Sequence, residues 1–270
     1  MNARFIIITL FLLVNLSAYS IKPDKKYIQH PDQLDMSYKE FVIKASDSIF
    51  LKCWHIIPSS KSKHSNTSII ISYADLGNMS YWLNHASVLS NEEYDVWLYD
   101  YRGFGESSSF MIDSKMLYYN EFIDDLSSVI EFVKIQRPTN TIGLLGFSMG
   151  GIINSIYIHK NPKSDIKFCI IDGLVYNPET LASESKLKLP SLCYSMHQIY
   201  SKFSKPLLIF AGKADKICCL PAIENEKKQN SNIHIIKYKG GHLHSLMILR
   251  SKYIKDINAF INITSRHRVR

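Results

Sequence analysis

Gly146-Phe147-Ser148-Met149-Gly150 reads G-x-S-x-G and lies between an apolar run and a helical pattern. In that setting the serine occupies a sharp strand-to-helix turn that lifts its hydroxyl above the sheet edge. The turn demands small residues two places before and two places after, which Gly146 and Gly150 supply, and Gly151 adds room. The chemistry served is attack on an acyl carbonyl, with the amide of Met149 aimed at the developing oxyanion from a helix N-terminus. A serine hydroxyl is a poor nucleophile at neutral pH, so it needs a base within hydrogen-bond reach and a third group to set the base's tautomer. The same five-residue pattern also occurs in ordinary glycine-rich turns, so the partners decide the reading.

Two downstream residues fit those roles in the order serine, acid, base. Asp215 follows the apolar stretch Pro206-Leu207-Leu208-Ile209-Phe210 and the turn Ala211-Gly212-Lys213-Ala214. His242 follows a strand pattern over 233–238 and Gly240-Gly241, just before the last helical stretch. Singly, a loop aspartate is usually a turn former and a histidine beside two glycines is usually just exposed. Together they project from three strand ends onto one crevice, where open α/β sheets place their sites. His244 is the rival base, and Asp172, at the end of a strand over 168–172, is the rival acid.

The elements that must position these residues alternate. Two strands over 40–45 and 48–57, joined at Ser46-Asp47, form an antiparallel start. Strands then follow over 68–74, 94–101, 141–147, 167–175, 206–213 and 232–238, with helices over 81–91, 119–136 and 149–159, one beginning at Pro221, and one over 244–263. Most strands are continuous apolar runs, as expected where helices cover both faces of a parallel sheet. The fold class is α/β: one doubly wound, mostly parallel domain over 21–270. The stretch 176–205 is longer than a crossover requires and is expected to form a small cap after the sixth strand. Its Leu187, Leu189, Leu192, Met196, Ile199, Tyr200 and Phe203 either line an acyl groove or pack the cap down.

Four motifs in order, Tyr99-Asp100-Tyr101-Arg102-Gly103-Phe104-Gly105-Glu106-Ser107, Gly146-Phe147-Ser148-Met149-Gly150-Gly151, Ala211-Gly212-Lys213-Ala214-Asp215 and Gly241-His242, resemble the α/β-hydrolase superfamily. The nearest resemblance is to its small-capped serine aminopeptidase-like, monoacylglycerol lipase-like and protein depalmitoylase-like groups, and it covers residue 40 to the C-terminus. It implies ester, thioester or amide hydrolysis by Ser148, His242 and Asp215, with no metal or organic cofactor. It also implies that the Asp100 to Ser107 segment is scaffold, in which Arg102 ties loops by ion pairs. Relatives usually carry His-Gly after the strand at 68–72, and its amide is the second oxyanion donor. This chain has Tyr73-Ala74-Asp75 there, so the Tyr73 or Ala74 amide is the expected donor, and a carboxylate at Asp75 would oppose a developing negative charge if it faced the site.

Composition narrows the partners. With 46% hydrophobic and 21% charged residues, the 270-residue chain is ordinarily globular. Its net charge of +8 is spread as single lysines and a basic tail, Arg266-His267-Arg268-Val269-Arg270, so nucleic acid is not expected, while an anionic membrane surface could attract it peripherally. The five cysteines show no zinc spacing. An apolar run over 5–14 followed by Ser17-Ala18-Tyr19-Ser20 reads as an export signal over 1–20, or alternatively as an uncleaved membrane anchor. The expected function is a serine hydrolase acting on a small or lipid-like acyl ester or thioester. The alternatives are a peptidase using the same three residues and a binding protein that kept the fold but lost efficient turnover.

Overall fold

The computed structural model describes residues 20–58 and 64–266. The expected export signal, apart from Ser20, and the end of the basic tail lie outside those residues. The chain order of strands is β1 Lys22–Pro23, β2 Tyr38–Lys44, β3 Phe50–Ile56, β4 Thr67–Ser72, β5 Leu76–Gly77, β6 Asp95–Tyr99, β7 Thr141–Phe147, β8 Ile166–Asp172, β9 Leu207–Gly212 and β10 Ile233–Tyr238. Between them run the helices α1 Leu83–Ser90, α2 Glu121–Gln136, α3 Met149–Lys160, α4 Pro178–Ser185, α5 Met196–Ser201, α6 Leu220–Gln229, α7 Ser245–Leu249 and α8 Ser251–Arg266.

Eight strands form one sheet in the order β10-β9-β8-β7-β4-β6-β3-β2. β2 and β3 form the antiparallel hairpin, β3 also pairs antiparallel with β6, and every pair from β6 through β10 is parallel. The sheet is doubly wound and mostly parallel with an antiparallel start. All six residues of β4 and all five of β6 are buried, so both sheet faces are covered, which is why these strands read as unbroken apolar runs. β7 occupies the span its sequence predicts. α2 carries Glu121 and Asp124 in its first turn and Lys134 in its last, each matching the local pole of the helix dipole. From Met149 to Ile158 every residue of α3 is buried, so this helix is enclosed on all sides.

Three regions differ from the sequence expectation. The last helix is two: Arg250 takes φ 50° and ends α7, and α8 sets off from Ser251. The apolar run Leu246–Leu249 looks continuous with α8 in sequence, yet α7 leaves Met247 and Ile248 exposed while α8 buries Tyr253, Ile257 and Phe260, so the two face different surroundings. The helix over 81–91 is preceded by a 3-10 turn, Met79–Trp82, and is helical only from Leu83. The N-terminal arm is also tied down: β1 pairs parallel with β5, and Tyr27 donates to Asp100 at 2.7 Å. Between β8 and β9 lie α4 and α5. Met196, Ile199, Tyr200 and Phe203 are buried in the main core, Leu187 and Leu189 pack partly against it, and Leu192 is exposed. Among the described residues no helix is long and apolar enough to cross a membrane.

Candidate active site

Ser148 leaves β7 at φ 48° and ψ −110° and opens α3. A non-glycine residue there stores about 1–3 kcal/mol of backbone strain. Local bonds hold it: the Ser148 amide donates to the Asp172 carbonyl at 3.1 Å, and the Ser148 carbonyl accepts from the Gly151 amide at 2.8 Å. The two flanking glycines are required by contact. A Cβ on Gly146 would lie 2.7 Å from Gly151 Cα, and one on Gly150 would lie 1.9 Å from the Ser72 carbonyl oxygen. The second contact also shows that the chain leaving β4 runs directly against the first turn of α3.

Asp215 follows β9 and His242 follows β10, so both loops reach the same C-terminal edge of the sheet as Ser148. His242 Nε2 lies 2.9 Å from Ser148 Oγ, and His242 Nδ1 lies 2.9 Å from Asp215 Oδ2. Asp215 Oδ1 accepts from the amides of Ile217 at 2.9 Å and Cys218 at 3.2 Å. Burial by itself would raise the Asp215 carboxyl; the bond to His242, the imidazole's charge and the two amides outweigh it and hold the group below the usual carboxylate range. An ionised acceptor at Nδ1 keeps the proton on that nitrogen and leaves Nε2 free to accept from the serine hydroxyl. The imidazole side chain keeps 17% of its surface accessible, against 1% for the aspartate, so the site opens on the histidine side.

The rival residues take other partners. His244 is exposed and its Nδ1 accepts from the Gly241 amide at 3.3 Å. Asp172 is wholly buried and its Oδ2 accepts from Ser245 Oγ.

Met149 directly follows Ser148, and Tyr73 and Ala74 lie in the buried segment that leaves β4 beside Gly150. The Tyr73 side chain donates to Asp100 Oδ1 at 2.9 Å. Asp100 also accepts from Tyr27 and from the Met79 amide at 2.8 Å, which pins the 73–79 loop to the end of β6. Burial pushes the Asp100 carboxyl up to about 6 against the pull of these donors. Asp75 is half-buried. Burial pushes its carboxyl up to about 6, while its own backbone amide and then the charges of His242 and Lys22 pull it back. Arg102 makes the anticipated ion pair, with Nε 2.8 Å and Nη2 2.6 Å from Asp125 Oδ1 on α2. Sequence reasoning missed Tyr27 and the Tyr73 side chain, because their partner Asp100 is 73 and 27 positions away and nothing local marks the pairing.

Comparisons with known proteins bear on the fold and the family. Residues 78–178 match the family described as serine aminopeptidase, S33. The protein described as uncharacterized protein YfhR from Escherichia coli (strain K12) is 30% identical over 216 residues, which cover 76% of this chain and 71% of that protein. The esterase Pf2001 from Pyrococcus furiosus superposes with a TM-score of 0.72 at 19% identity, covering 90% of this chain and 97% of the esterase. XC6422 from Xanthomonas campestris, described as a member of a/b serine hydrolase without lid, gives a TM-score of 0.58 at 18% identity over 85% of this chain and 94% of the other. At those identities the two solved structures establish the fold alone.

Proposed function

The chain belongs to the α/β-hydrolase superfamily, and on that premise we propose that it is a serine hydrolase cleaving acyl esters or thioesters, with Ser148 as nucleophile, His242 as base and Asp215 as the acid that orients the base. The observation that carries the reading is the unbroken path of two 2.9 Å contacts from Asp215 through His242 to a serine held in a strained turn. Ser148 Oγ attacks the acyl carbon as its proton passes to His242 Nε2, and the carbonyl π electrons move to oxygen. When the tetrahedral centre collapses, the bond to the leaving oxygen or sulfur breaks and the imidazolium returns the proton to the leaving group. Water then repeats the sequence on the acyl-serine, releasing the acid and restoring the hydroxyl. The Met149 amide, with that of Tyr73 or Ala74, receives the oxyanion.

The substrate side of the proposal is a small or lipid-like acyl compound, and residues 1–20 direct the mature chain to export. A second reading, a weakly active binding protein, is favoured by one observation: the segment leaving β4, where the second oxyanion donor belongs, reads Tyr73-Ala74-Asp75 in place of the usual His-Gly. The readings part in one experiment. Purified protein is treated with a fluorophosphonate probe, and turnover is followed on p-nitrophenyl esters and acyl-thioesters of rising chain length beside Ser148→Ala. Labelling at Ser148 and turnover lost in the variant are expected. A folded wild-type protein that neither labels nor turns over would leave the binding reading in its place.

A further inference from the structure

Asp172 is a buried ionisable group that the proposed reaction does not use. It closes β8 opposite Phe147, and its carbonyl holds the Ser148 amide. Its carboxyl is wholly buried, with Oδ2 accepting from Ser245 Oγ and the Tyr253 hydroxyl of α8 beside it. Ser245 is itself fully buried, three places after His242 at the start of α7. Gly173, the next residue after Asp172, has φ 67°, and a Cβ there would lie 2.9 Å from His242 Cε1 and 2.7 Å from Leu243 Cδ2. The imidazole therefore lies against the exit of β8, with Asp172 and Gly173 as its floor.

We propose that Asp172, acting through Ser245, is a positioning residue for His242: it anchors the far end of the loop that carries the imidazole across Gly173. The inference rests on the triad reading above. The near end of the loop has separate anchors, since the Gly240 carbonyl accepts from the Ala214 amide at 2.9 Å and the Gly241 carbonyl accepts from Tyr238 Oη at 2.8 Å. Between the anchors stand His242, Leu243 at φ 58° and His244, and the two glycines before them have little intrinsic preference for one conformation. Loss of the far anchor would free the imidazole to swing while leaving the sheet intact. Burial pushes the Asp172 carboxyl up to about 7; the Ser245 bond and the His242 charge pull it down, and Asp215 pushes it up. Tyr253 from α8, Tyr238 from β10 and Cys218 from the loop after β9 also face it.

The test uses the full chain with a p-nitrophenyl ester. Ser245→Ala and Asp172→Ala are expected to lower kcat by about 10- to 100-fold with KM within about twofold, because a displaced base costs rate and not binding. Fluorophosphonate labelling should slow in parallel. Asp172→Asn keeps an acceptor for Ser245 and should restore most of the turnover lost in Asp172→Ala. Should Asp172→Ala fail to fold, Ser245→Ala, which removes one hydroxyl, carries the test. Wild-type kcat in Ser245→Ala would overturn the inference, as would Asn and Ala variants equally impaired in proportion to lost thermal stability. Ser148→Ala run alongside separates the two levels: activity surviving there removes the triad reading itself, whereas activity lost there and intact in Ser245→Ala removes only the role of Asp172.

Discussion

Two His–Asp pairs stand at opposite ends of the same sheet, each with a serine hydroxyl bonded to it. At the C-terminal edge of the parallel strands, Ser148 contacts His242 and His242 contacts Asp215. At the other edge, His55 Nε2 lies 2.6 Å from Asp95 Oδ1, and Ser68 donates to Asp95 Oδ2 at 2.6 Å. The residue types match and the wiring does not. Ser68 bonds the acid, so no base touches its hydroxyl. His55 is 2% exposed and stacked on Trp97 with ring centroids 4.0 Å apart, and Asp95 also accepts from Trp97 Nε1 and Arg137. Burial would raise the Asp95 carboxyl, but His55, Ser68 and Trp97 hold it low. One set spends its hydrogen bonds on closing the bottom of the sheet; the other leaves a lone pair facing an opening. Reactivity depends on which member is bonded to which, and on the end of the strands at which loops gather.

Exchanging each acid for its amide should separate the two sets most sharply. Asp215→Asn is expected to lower kcat about 10³- to 10⁴-fold by favouring the wrong imidazole tautomer, with the melting temperature little changed. Asp95→Asn should leave kcat near wild type and cost about 2–4 kcal/mol of stability, since it strips the charge from a buried, multiply bonded acceptor. Denaturant melts beside ester assays check both, and a rate loss in Asp95→Asn would mean that the lower cluster reaches the site. A smaller effect is expected at the serine of the lower set: Ser68→Ala should cost about 1 kcal/mol and nothing in turnover, measured in the same way.

The smallest expected difference is one of pH. Asp95 has its carboxyl lowered in the fold, so the unfolded chain binds the extra proton. Its contribution is complete above the ordinary carboxylate range and disappears as pH falls through the lowered value. Acid unfolding followed by circular dichroism should therefore be less steep in Asp95→Asn than in wild type. An unchanged acid limb would mean that the lower pair contributes no linkage.

What the sequence disclosed follows the same divide between local and distant contacts. β7, the start of α3 and the order of Ser148, Asp215 and His242 are written in neighbouring residues: apolar runs, glycines at fixed offsets and a turn before each loop residue. The lower cluster joins His55, Ser68, Asp95 and Arg137 across 27 to 82 positions, and no period or motif announces it. The arm carrying Tyr27 escaped notice for the same reason. The break at Arg250 was hidden because Leu246 to Leu249 continues an apolar pattern that the fold uses on a different surface.

The enclosure of α3 gives the three members of the upper set unequal footing. Ser148 is mounted on the helix most shielded from water, whereas His242 rides on a loop hung between two glycines and one buried hydroxyl. Partial openings of the native state begin where packing is thinnest. The imidazole should thus detach while Ser148 is still in place, so loss of turnover on warming and collapse of the architecture are two events, the first reversible on cooling.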